Sequence, residues 1–175
     1  VIRVVTLAEF DQEVLDLVLK KLQSAYGVGA EIGRRAQMPN EAYNPAEDAY
    51  DAVKTVEEAE DVRAFGDDKI IFLTDRPLSL PIGPMGKGPV DGFAQFGGVK
   101  AIATSAGLGE GKALPLADGL AKRAARHVGH TFGLHHCYDQ RCSMLPGWAD
   151  GFTQHPEVSL CPFCRDKSEQ RIQRA

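Results

Sequence analysis

Apolar and polar positions alternate weakly from Val1 to Leu7, and the run is rich in β-branched residues, which predicts a strand. From Glu9 to Tyr26 the period lengthens. Phe10, Val14, Leu15, Leu17, Val18 and Leu22 recur at helical spacing, and Gly27 supplies a stop. Val28 to Met38 reads as a second strand, broken by Pro39-Asn40. Asn44-Pro45 has the chemistry of a helix cap and first turn, which predicts a helix from there to about Phe65. Its many acids (Glu47, Asp48, Asp51, Glu57, Glu58, Glu60, Asp61) read as a solvated face. Lys69 to Thr74 is a short apolar run, a buried strand.

The pattern then lapses. Residues 75 to 92 hold four prolines and four glycines without periodicity, and read as a long loop of the kind that forms lids or binding rims. Phe93 to Ser105 regains strand character around Gly97-Gly98. Pro115 to Gly133 reads as a helix with a basic stripe of Lys122, Arg123 and Arg126, and a short polar helix is expected from about Cys164 to Gln173. This alternation of strands and helices predicts an α/β or α+β layer.

At 175 residues the chain fits one domain, with room for a small appended module. A net charge of −4 argues against a dedicated nucleic-acid binder. No apolar stretch approaches the ~18 residues of a membrane span. The Val1–Val5 start is too short for a signal peptide, so a soluble, cytoplasmic protein, acting as a monomer, is the expectation.

The chemistry gathers late in the chain. Four of its five histidines fall between His127 and His136, with Cys137 next. The cysteines fall as Cys137-x4-Cys142 and Cys161-x2-Cys164. A Cys-x2-Cys pair aims two thiolates at one point, and a second close pair completes a tetrahedron around Zn²⁺. Without a secretion signal, that reading is preferred to two disulfides. Few large apolar residues (Leu145, Trp148, Phe152, Leu160, Phe163) accompany them, so metal is expected to supply much of the folding energy there. A zinc-ribbon nucleic-acid binder using Arg165, Lys167, Arg171 and Arg174 is a weaker reading, because Asp166 and Glu169 interrupt the basic run.

His130-x-x-Gly133-x-x-His136 is the second half of the metzincin zinc-protease signature H-E-x-x-H-x-x-G-x-x-H. With His130 to Cys137, then Cys142-Ser143-Met144, then Cys161-Pro162-Phe163-Cys164, eight positions across residues 130 to 164 resemble the archaemetzincins. The resemblance implies a metzincin-like fold: a twisted N-terminal sheet with flanking helices, an active-site helix ending at Gly133, and a small zinc-stapled C-terminal subdomain. The boundaries would be 1–133 and 134–175. It implies that Cys137, Cys142, Cys161 and Cys164 hold a structural zinc. It also implies that His130 and His136 are ligands of a second, catalytic zinc, and that Met144 is the Met-turn methionine beneath it. A peptide or protein partner would add as an extra strand along the edge near residues 93 to 105.

The first half of the signature is absent. Arg126 stands where the first ligand histidine belongs, and guanidinium has no lone pair to donate. His127 stands in the place of the general-base glutamate, and imidazole can serve as a base near neutral pH. A rearranged ligand set of His127, His130 and His136 is conceivable; His155 reads as a surface residue. The expectation is a zinc-metalloprotease scaffold with impaired or absent peptidase activity, its structural zinc retained and its catalytic site weak or empty. The alternative is a non-catalytic peptide- or anion-binding protein on the same fold, with Arg126 filling the ion's volume or binding an anion.

Overall fold

The computed structural model describes residues 1–60, 69–81, 86–109, 115–146 and 157–174. The expected helix end at Phe65, the middle of the 75–92 segment, and Trp148, Phe152 and His155 lie outside them.

Strand β1 (Ile2–Thr6) runs parallel to β2 (Ala30–Ile32) on one side and to β5 (Lys69–Thr74) on the other. Next comes β9 (Lys100–Thr104), also parallel, and β8 (Gly92–Ala94) closes the sheet as an antiparallel edge. Alternate residues of β5 explain why this sheet is covered on both faces. Ile71 and Leu73 face helix α1 (Gln12–Tyr26) and helix α3 (Leu116–Thr131), whereas Ile70 and Phe72 face helix α2 (Ala52–Glu58). Burial on both faces produces the continuous apolar run of β5. Helix α1 stops at Gly27, whose φ of 67° is the left-handed cap that a residue without Cβ adopts freely.

Three expectations are corrected. Among the described residues no long helix follows Asn44-Pro45: β3 (Tyr43–Asn44) and β4 (Ala49–Asp51) form an antiparallel hairpin, and of residues 44–60 only Ala52 to Glu58 is α-helical. Asn44 Oδ1 accepts from Ala46 N–H at 3.0 Å, so the asparagine caps a turn rather than a helix. Asp51 takes the helix-cap role, accepting from Lys54 N–H at 3.1 Å. Nor is the 75–92 segment simply a loop. Strands β6 (Leu78–Pro81) and β7 (Lys87–Val90) pair antiparallel within it and extend the hairpin to a second sheet, β3-β4-β6-β7. Pro77, Pro81 and Pro89 hid those strands, since a proline in a strand argues against central pairing. The second expected strand is short as well, Ala30 to Ile32 only.

Helix α4 (Pro162–Ile172) ends the described chain. The buried side chains of the C-terminal part, among them Leu134, Cys142, Met144, Val158, Leu160 and Cys164, belong to the same cluster as Val4, Leu22 and Val128. A metal held by the cysteines would therefore add to an apolar core shared with the sheet. Among the described residues no helix is long and apolar enough to cross a membrane.

Candidate metal centre

Helix α3 positions the histidines. It ends at Phe132, and Gly133 (φ 76°) turns the chain back, with Leu134 N–H bonded to Gly129 O at 3.0 Å. The reversal lets His130 Nδ1–H donate to Leu134 O at 2.8 Å, which leaves Nε2 as the ring's lone-pair nitrogen. It also brings His136 round, the two rings lying 4.9 Å apart and nearly perpendicular. Burial lowers His130 to about 4, and burial with the nearby Arg126 charge lowers His136 too. Both imidazoles are therefore neutral at pH 7, the form that binds metal. His135 is exposed and packs on Phe96, ring centroids 4.7 Å apart.

Met144 is fully buried beneath this turn, against Gly129. A Cβ on Gly129 would fall 2.3 Å from Met144 Sδ and 2.7 Å from Tyr26 Oη. Cys137 N–H donates to Met144 O at 2.9 Å, tying the segment that carries His136 to Met144. Gly129→Val is expected to destabilise the protein by about 2 kcal/mol or more through overpacking, read as a lowered denaturation midpoint at unchanged m-value.

The first-ligand position is filled differently. Arg126 is only 2% exposed. Its guanidinium donates to Leu145 O at 3.1 Å and to the carboxylate of Asp91. The other Asp91 oxygen accepts from His127 Nε2 at 3.0 Å. Asp91 sits at the junction of β7 and β8, so one carboxylate bridges two successive residues of α3. Burial would raise the Asp91 carboxyl, but the His127 hydrogen bond and the Arg126 and Arg123 charges hold it well below the usual carboxylate range. Burial lowers His127, with Asp91 opposing it in part. Among the described residues its buried Nδ1 has no hydrogen-bond partner. Gly92 makes the close packing possible, since a Cβ there would fall 2.5 Å from His127 Nε2. The anion beside Arg126 is thus the chain's own. A cleft of about 570 Å³ opens between Pro89–Gly92 and α3, lined also by Arg123, Arg126, His127 and His136.

The three-histidine set does not assemble. His127 and His130 rings are 5.9 Å apart, and His127 Nε2 faces Asp91. Among the described residues, Cys137, Cys142, Cys161 and Cys164 form the only group of three or more His, Cys, Asp or Glu ligand atoms within 4.8 Å of one another.

The cysteines are free thiols. Cys137 and Cys161 sulfurs are 3.8 Å apart. A disulfide needs about 2.05 Å, whereas four sulfurs at about 2.3 Å from one zinc stand about 3.8 Å from each other. Backbone N–H groups already point at the sulfurs: Cys161 to Cys142 at 3.4 Å, Cys164 to Cys161 at 3.4 Å, and Asp139 to Cys137 at 3.5 Å. Burial pushes Cys142 up to about 11 and, with the neighbouring Cys142 charge, pushes Cys164 up further; burial would raise Cys161 too, but the Cys164 N–H and the neighbouring thiols lower it. Crowded sulfurs with N–H donors aimed at them are the donor set a dication stabilises.

An archaemetzincin of Natronomonas pharaonis is 30% identical over 153 residues, which is 82% of this chain and 85% of that protein. The chain belongs to the archaemetzincin family. No family model matches it. Among solved structures, the archaemetzincin of Methanopyrus kandleri superposes with a TM-score of 0.79 at 20% identity, covering 98% of this chain and 94% of that one. The archaemetzincin of Archaeoglobus fulgidus, solved with malonate, gives 0.73 at 18% identity, covering 95% and 98%. A zinc-dependent peptidase of Methanocorpusculum labreanum gives 0.76 at 21% identity, covering 95% and 99%. These last three establish the archaemetzincin fold for the chain. Asp91 is the site residue that sequence reasoning missed. A buried helical arginine demands a counter-ion, but nothing in the local pattern singles out this aspartate.

Proposed function

We propose that this archaemetzincin keeps the structural zinc of its family and has impaired or no peptidase activity. Cys137, Cys142, Cys161 and Cys164 would hold that zinc; their spacing and N–H donors fit it. A catalytic zinc, where bound, supplies an activated water and a polarised substrate carbonyl. His130 and His136 offer two of the three protein ligands such a site uses. One observation carries the reading: at the third position stands the buried Arg126 guanidinium, locked on Asp91. A fixed cation there repels a dication and donates no electron pair. His127 spends its Nε2–H on the same carboxylate, and its Nδ1 lies out of contact with solvent, so it is poorly placed to take a proton from water. A peptide ligand would add along the β8 edge beside the cleft.

Metal analysis tests this directly. Purified protein is expected to hold about one zinc per chain, and the double variant Arg126→His with His127→Glu about two, because it completes the ligand triad. Two zincs in the unaltered chain, with peptide cleavage that disappears in His130→Ala, would overturn the proposal.

A further inference from the structure

A smaller crevice, of about 220 Å³, lies at the C-terminal end of α3 and shares no lining residue with the cleft beside Asp91. It is lined by Lys69 at the start of β5, Gly97 in the turn before β9, and Thr131 and Phe132 where α3 ends. Arg171 and Arg174, at the end of α4, complete it. The lining holds three cations and no carboxylate, in a chain whose net charge is −4.

The lysine is held in place. Its ammonium donates to Gly98 O at 2.6 Å and to Thr131 O at 3.1 Å, and stands 5.1 Å from the centre of the Phe132 ring. Neutral carbonyls position that ammonium without cancelling its charge. Arg171 and Arg174 are exposed, and among the described residues neither guanidinium has an ion pair or a side-chain hydrogen bond. Arg3, Arg34, Arg35 and Arg126, by contrast, each hold a carboxylate. Exposed arginines are ordinarily solvated, and two at a helix C-terminus suit its dipole. The dipole does not require both to line one crevice with a fixed lysine, where like charges repel until an anion joins them. A volume of about 220 Å³ is below the roughly 300 Å³ at which pockets for whole drug-sized ligands begin, so the crevice takes a charged group and not a large molecule.

We infer that this crevice binds a dianionic phosphate group, as the free ion or as a phosphomonoester. Guanidinium forks match phosphate oxygens in pairs, and the ammonium adds a point charge. Three cations suit a dianion better than a carboxylate, which neutralises only one of them. The site is separate from the zinc centre and stands whether or not the chain hydrolyses peptides.

Titrating the full zinc-loaded chain with inorganic phosphate and with glycerol 3-phosphate, at low ionic strength and mildly alkaline pH, tests the site through amide nitrogen–proton correlation spectra. Saturable shifts are expected at Lys69, Gly97, Phe132 and residues 171 to 174. The tighter of the two probes tells the free ion from a phosphomonoester. Arg171→Gln combined with Arg174→Gln, both exposed positions, should weaken binding about tenfold or more. Arg165→Gln, exposed on the same helix but outside the crevice, should leave it unchanged. No saturable shift, equal affinity in the double variant, an equal loss in Arg165→Gln, or equal binding of acetate would overturn the assignment. Tighter binding of an oligothymidylate without a terminal phosphate would overturn it too, by making the patch a nucleic-acid contact.

Discussion

Replacing Cys161 with Ser is expected to loosen everything from about residue 134 onward. Cys161 sits at the centre of the sulfur group: it lies 3.8 Å from Cys137, its N–H reaches Cys142, and its sulfur accepts from Cys164 N–H. It is also the N-cap of α4. Structural zinc in small sites contributes roughly 10–16 kcal/mol of apparent binding energy at neutral pH. Losing one ligand should cost about 4 kcal/mol or more of that, a Tm drop of about 10 °C for a chain of this length. The apolar contacts of Val158 and Leu160 with the main core limit the damage to the C-terminal part. Hydrogen exchange should therefore rise across residues 134 to 174 while β1, β5 and β9 stay protected. Solubility should fall as the apolar faces open. Unchanged melting and zinc content in the variant would contradict the zinc assignment.

The second large effect is expected at Asp91. Asp91→Asn leaves the buried Arg126 charge without its carboxylate and should cost about 3 kcal/mol at pH 7. Adding Arg126→Met should recover most of the loss, because removing both partners of a buried pair is close to neutral whereas removing one is not. The pH dependence has a definite sign. The folded Asp91 carboxyl lies below its ordinary value, so its contribution is present above about pH 4 and is lost as pH falls further, through the folded value. The gap between wild type and Asp91→Asn should hold from neutral pH to about 4 and then close. His127, lowered by burial, acts in a different window. It is neutral when folded, so stability begins to fall below about pH 6.5, where the unfolded chain takes up the proton first. Urea titrations of wild type and Asp91→Asn across this range would show both windows. A gap constant down to pH 2 would exclude the Asp91 ion pair as its source.

The local elements differed in how legible they were. Strand β5 and helices α1 and α3 stand within a few residues of their sequence-based limits, because apolar period and a glycine stop act within one turn or one strand. The hairpin at 43–51 escaped because Asn-Pro serves a turn and a helix start equally well, and strand pairing with Leu78–Ser79 settles the choice. Strands β6 and β7 escaped because proline-rich segments pair only where a neighbouring edge suits their missing donors. His130 and His136 were legible as a pair because a helix end followed by a left-handed glycine returns the chain to its own last turn.

The order of residues alone determined the sulfur donor set, the histidine pair and the presence of a cation at position 126, since each depends on spacing along one local segment or on side-chain chemistry. Tertiary structure decided what that cation does. Asp91 is separated from Arg126 by 35 positions and joins it because β8 packs antiparallel on β9 beside α3. Charge pairing across such a distance depends on how the sheet closes, and no local period encodes it.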